Sequence, residues 1–117
     1  ALTALPHWVQ WLGDDEILVF NRSDPRNPNS CSWAAEIQLD EGAHTATTVR
    51  DFTGTDSCTL VTFFGAAERL ANGNTMIDWS SAGRLDEVSA DNKTVWSLSL
   101  DVGAALGFTS RIQPYPE

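Results

Sequence analysis

Apolar and polar positions along this chain alternate in short runs, broken by turn residues at intervals of roughly 8–12 positions, the pattern of an all-β protein. Glu16 to Asn21 is an apolar run closed by Asp on one side and Asn on the other. Ala34 to Leu39 follows, then the polar turn Asp40-Glu41-Gly42, then a Thr- and Val-rich run from Thr45 to Phe52. Thr75 to Trp79, Arg84 to Ser89 and Thr94 to Leu100 repeat that order. Each run has the length and β-branched content of a strand. Helical periodicity is poor. Its best windows, Ala66 to Ala71 and Val102 to Leu106, are short and bounded by Gly.

The order of the runs is itself repeated. Trp11 to Val19 aligns with Arg69 to Ile77, each reading as a strand, a tight turn and an apolar strand. Glu36 to Asp40 aligns with Glu87 to Asp91 as a third strand entering a turn, and Thr47 to Phe52 with Lys93 to Leu98 as a fourth. Four short strands per unit, joined by unequal loops, predict blades of a β-propeller rather than helical or leucine-rich repeats. The expected division is one blade over about 7–52, a second over about 62–100, and the start of a further strand over about 109–115. The first unit is the longer, because Arg22 to Ser32 forms a Pro-, Asn- and Ser-rich loop where the second has only Ser80 to Gly83. Two blades cannot cover both of their own faces, so the fold is expected to be incomplete as a single chain. Other copies or other propeller fragments are the expected partners. The opening Ala-Leu-Thr-Ala-Leu-Pro, without Met or a basic segment, suggests processing or excision from a longer protein.

Three stretches, Glu68 to Ile77, Gly83 to Val88 and Val95-Trp96, resemble the repeats of the arylsulfotransferase β-propeller family. Ala34 to Glu41, Thr47 to Phe52 and His7 to Leu12 resemble the preceding blade of that family. The resemblance implies sulfate transfer between phenols through a sulfated histidine, with Arg or His groups on the equatorial oxygens and no cofactor. It places His7 at the family's blade-start histidine, followed here by Trp8 where the family has Asp. His44 falls in the turn Gly42-Ala43-His44-Thr45 and reads as a solvated turn residue. Within the repeat, Asn72-Gly73 is expected to supply the positive φ angles of a tight hairpin. Arg69 and Glu87 are expected to pair or cap strand ends, and Trp96 to fill the core between blades.

Charge narrows the partners. The net charge is −9, with Lys93 the single lysine and the six arginines scattered. That excludes the clustered cations that nucleic acid or anionic lipid requires, and no apolar run approaches a membrane span. Cys31 and Cys58 are an even count and are expected to form a disulfide, which suits a secreted, extracellular or periplasmic setting. Asn21-Arg22-Ser23 and Asn92-Lys93-Thr94 are N-glycosylation sequons in a eukaryotic secretory setting. Asp14-Asp15-Glu16 offers carboxylates to Ca²⁺ but lacks EF-hand spacing and reads better as a solvated turn. Trp8, Trp11, Trp33 and Trp79 suit either core packing or the stacking of a carbohydrate, and a small phenolic is the other candidate ligand. The expected function is a non-catalytic propeller module for assembly or ligand binding. The alternative is a fragment of an arylsulfotransferase-like enzyme whose other blades supply most of the site.

Overall fold

The computed structural model describes residues 2–23, 27, 29–54 and 58–101. They form two four-stranded antiparallel sheets. The first contains β1 (Pro6–Gly13), β2 (Glu16–Asn21), β3 (Trp33–Asp40) and β4 (Thr45–Phe52) in sequential order. The second contains β5 (Ala66–Arg69), β6 (Thr75–Asp78), β7 (Arg84–Val88) and β8 (Thr94–Ser99), again in sequential order. One 3₁₀ turn, Ser80–Ala82, separates β6 from β7. The expected windows at 75–79, 84–89 and 94–100 thus match strands to within a residue. Ala66–Arg69 is extended rather than helical: Ala67 and Arg69 turn to one side of the strand, and each residue pairs across to β6. The second helical window and the further strand expected at 109–115 lie outside the described residues.

Each hairpin has its own turn chemistry. Asp14 and Asp15 both take positive φ, 50° and 59°, which makes the β1–β2 link a two-residue turn of the type that matches strand twist. The Gln38 side-chain amide donates to the carbonyls of both, at 2.9 and 3.2 Å. The β5–β6 loop differs from expectation. Only Gly73 is left-handed, at φ 87°, while the Asn72 side chain accepts from the Asn74 amide at 2.9 Å. The β7–β8 loop repeats this design, with Asn92 at φ 63° in the place of Gly73.

The two sheets are in register with one another. Leu18 of β2 stands between Gln10 and Glu36, and Met76 of β6 stands between Glu68 and Glu87. Glu36 lies opposite Arg50, and Glu87 opposite Trp96. One step further along, each third strand meets a β-bulge: Ile37 pairs with Thr48, skipping Val49, and Val88 pairs with Thr94, skipping Val95. An extra residue inserted at the same rung of both sheets makes the repeat structural and not merely one of composition.

The sheets pack face to face. Leu18, Phe20, Ala34 and Phe52 of the first meet Ala67, Ile77, Trp79 and Val88 of the second, with Val61 of the connecting segment between them and Trp8 and Leu12 at the margin. Burial of each large apolar side chain contributes about 1.5–3 kcal/mol. Strand alternation then forces a second apolar set onto the opposite face of the first sheet, where Val19, Ala35 and Ile37 cluster with Ile17, Trp33, Leu39 and Ala46. The connection runs from β4, at one edge of its sheet, to β5, which packs against β1 and β2. A disulfide between Cys31 and Cys58 ties this connection to the β2–β3 loop. Beside it the Ser32 amide donates to the Thr59 carbonyl at 2.7 Å, and the Val61 amide donates to the Ser32 hydroxyl at 2.8 Å.

Candidate functional site

Three polar groups lie along or beside the seam between the sheets. The first centres on Glu36, whose side chain is only 5% exposed. Arg50, opposite it on β4, donates from Nε to Oε2 at 3.2 Å and also ion-pairs with Oε1. Arg69 reaches Oε1 from the second sheet. The backbone amide of Arg69 donates to the Gln10 side-chain oxygen at 2.7 Å, and its Nε donates to the Thr75 hydroxyl at 3.1 Å. Arg50 in turn reaches across to the Ala90 carbonyl at 2.5 Å. One carboxylate of the first sheet therefore holds an arginine from each sheet. Of the two expectations for Arg69 and Glu87, pairing or capping strand ends, the pairing is corrected here: Arg69 pairs with Glu36, the residue that occupies the same rung in the other sheet.

The second group surrounds Asp86, which is fully buried. It accepts from the Trp79 indole at 2.8 Å, from Arg84 Nε at 3.1 Å and from the Ser97 hydroxyl at 2.5 Å. The Arg84 guanidinium lies 5.4 Å from the Trp79 ring centre and donates to the Thr59 hydroxyl at 3.0 Å. Trp79 is thus a core residue with its one polar atom satisfied, which a buried indole requires.

The third group contains His7. Its Nδ1 lies 2.7 Å from the Gly65 carbonyl, so Nδ1 carries the proton, and its ring meets Phe64 edge-on with centres 5.8 Å apart. Gly65 has φ 94°, and a Cβ there would collide with the Phe20 ring. Glycine is required at that position, and its carbonyl orients the imidazole. Of the four described arginines, Arg50 and Arg69 pair with Glu36, Arg84 pairs with Asp86, and Arg22 donates to the Thr62 carbonyl at 3.4 Å.

The remaining candidates are dispersed. His44 is exposed at φ 54° in the β3–β4 turn. Asn21 is fully buried and accepts from the Ala4 amide at 2.9 Å, whereas Asn92 is exposed. Of the two sequons, the second presents its side chain to a modifying enzyme. Trp11 is 58% exposed, while Trp8 and Trp33 are partly buried. Trp96 is 41% exposed and does not fill the core between the sheets; its indole donates to Glu87 at 2.6 Å. Glu87 also accepts from the side chains of Asn74 at 2.7 Å and Asn72 at 3.3 Å. The Asn74 hydrogen bond leads in holding its carboxyl below the usual glutamate range; burial opposes it, and the weaker contributions of Asn72 and Trp96 add to the lowering. Two clefts, one of about 120 Å³ between the sheets at Phe52 and Val88 and one of about 260 Å³ beside Cys31 and Trp33, share Asp51 and Thr53 and fall below the roughly 300 Å³ at which small-molecule pockets begin.

No family model, curated protein or solved structure matches this chain, so the seam and its groups stand on their own geometry.

Proposed function

We propose that this chain is a non-catalytic β-propeller module related to the arylsulfotransferases, and that its task is assembly. The carrying observation is the shared register of two four-stranded units that stack face to face, bulges included. A unit that stacks on its copy through one face has the means to stack again through the other. Apolar residues remain on those outer faces: Val9 and Trp11 on the first sheet, Trp96 and Leu98 on the second. Burying 500 Å² of such surface contributes on the order of 12 kcal/mol before the entropic cost of association. The disulfide and the absence of any membrane-crossing helix among the described residues suit a secreted, extracellular or periplasmic setting. Sedimentation of the native particle is the test. A body several times 12.8 kDa is expected; a cooperative, well-folded 12.8 kDa monomer would refute the assembly reading.

One observation favours an enzymatic role for the larger body. With Nδ1 donating to the Gly65 carbonyl, a neutral His7 keeps its lone pair on Nε2, the arrangement a nucleophilic imidazole needs. Release of phenol from an aryl sulfate by the assembled particle, abolished by His7→Ala, would establish that role; turnover indifferent to His7→Ala would remove it.

A further inference from the structure

The seam shows how one sheet captures the next, and the outer face of the second sheet carries the acidic half of the same device. Across the seam, Gln10 and Glu36 of the first sheet hold Arg69 of the second, one by its backbone amide and the other by its guanidinium. The register places Glu68 where the first sheet has Gln10, and Glu87 where it has Glu36. Alternation directs Gln10, Leu18 and Glu36 at the neighbouring sheet, and directs Glu68, Met76 and Glu87 away from it. Glu87 is aimed outward, fixed by Asn72, Asn74 and Trp96, and no described arginine reaches it. Trp96 and Leu98, 41% and 44% exposed, form the apolar margin of the same face.

We propose that the outer face of the second sheet is a docking socket for a further β-sheet whose first strand brings an arginine to Glu87, and that this sheet is not a second copy of the present chain. The second clause follows from the register. In a head-to-tail pair of copies, the first sheet of one chain would lie on the second sheet of the other. The residue at the rung of Arg69 would then be Trp11, which pairs with Ile17 as Arg69 pairs with Thr75. An indole cannot neutralise a carboxylate, so docking of a second copy would bury Glu87 without a cation. Charge thus selects a partner sheet that differs from this chain at one rung.

This inference rests on the assembly reading, and one substitution separates the two. Trp11→Arg gives the chain the cation it lacks on its own first sheet, at an exposed position where the fold tolerates it. Sedimentation equilibrium would compare the unaltered chain, Glu87→Gln, Trp11→Arg, Trp11→Lys, and Trp11→Arg combined with Glu87→Gln. Trp11→Arg is expected to tighten head-to-tail self-association at least about tenfold, the scale of a charge-assisted bidentate pair, and Glu87→Gln is expected to abolish the gain. Trp11→Lys, lacking the planar fork, is expected to recover only part of it. No gain with Trp11→Arg, or a gain that survives Glu87→Gln, would overturn the arginine socket. Self-association of the unaltered chain that Glu87→Gln disrupts would make a second copy the occupant and overturn the exclusion. Monodisperse monomers in every sample would overturn the socket, and a native particle that is itself a cooperatively melting 12.8 kDa monomer would overturn the assembly reading as well.

Discussion

Glu36→Gln should be one of the most damaging single-atom changes in the seam. The substitution keeps the shape of the side chain and removes its charge. In the folded protein this carboxylate is 5% exposed and holds Arg50 and Arg69, whose side chains are 18% and 26% exposed. Hydrogen bonds to charged groups contribute about 1.5–3 kcal/mol each, and removal of one partner of a fully buried pair costs about 3–5 kcal/mol. Because both arginines retain some access to water, the expected loss lies below the sum, at about 2–4 kcal/mol. Urea unfolding of the native protein, followed by tryptophan fluorescence, measures it. Trp79 reports directly, since it sits in the same seam with no exposure. With a urea dependence of about 2 kcal/mol per molar, the middle of the range for small proteins, the midpoint should fall by roughly 1–2 M. A double-mutant cycle with Arg69→Met should show coupling of at least about 1 kcal/mol. A midpoint shift below about 0.3 M, or strictly additive effects, would show that the cross-sheet ion pair does not hold the two sheets together.

Reduction of the Cys31–Cys58 disulfide, which spans 27 positions, should cost about 3.5 kcal/mol through the freed unfolded chain, read as a lower thermal midpoint in dithiothreitol. Glu87 titrates below the ordinary glutamate value of 4.5, so its contribution to stability is present above that value and lost as pH falls through the lowered one. Asn74→Ala should move the Glu87 titration, followed by carbon NMR of its carboxyl, upward toward 4.5; an unmoved titration would contradict the hydrogen-bond origin of the shift.

Most of the strand order was legible because each strand is bounded by its own turn chemistry. Glu16–Asn21 and Thr45–Phe52 have the limits their Asp, Asn and Gly neighbours suggest. β5 was ambiguous because Ala66-Ala67-Glu68-Arg69 is composed of good helix formers, and only pairing with β6 and packing on β1 and β2 make it extended. The seam was legible by residue type but not by partner. Arg69 and Glu87 belong to one repeat, where they were expected to pair or cap strand ends, yet Arg69 crosses to the equivalent of Glu87 in the other repeat, a step that linear periodicity does not encode. Trp96 is expected, from its place in the repeat, to fill the core between blades. The bulge at Val95 and the position of β8 at the sheet edge leave it exposed beside Glu87. For His7, neither the Gly65 carbonyl nor the Phe64 ring leaves a periodic signal, being brought together by the connection from β4 to β5.

The matching bulges have a consequence for how this chain avoids the wrong kind of association. Among the described residues β4 and β8 are terminal strands of their sheets, and an edge strand is the template on which edge-to-edge aggregates and fibrils grow. Val49 and Val95 interrupt the two-residue rhythm of those rims at the same rung. A strand arriving from another molecule would keep its ladder of hydrogen bonds on only one side of the irregularity. Lateral growth is therefore discouraged along these two strands, which leaves the broad faces as the route by which a further sheet is added.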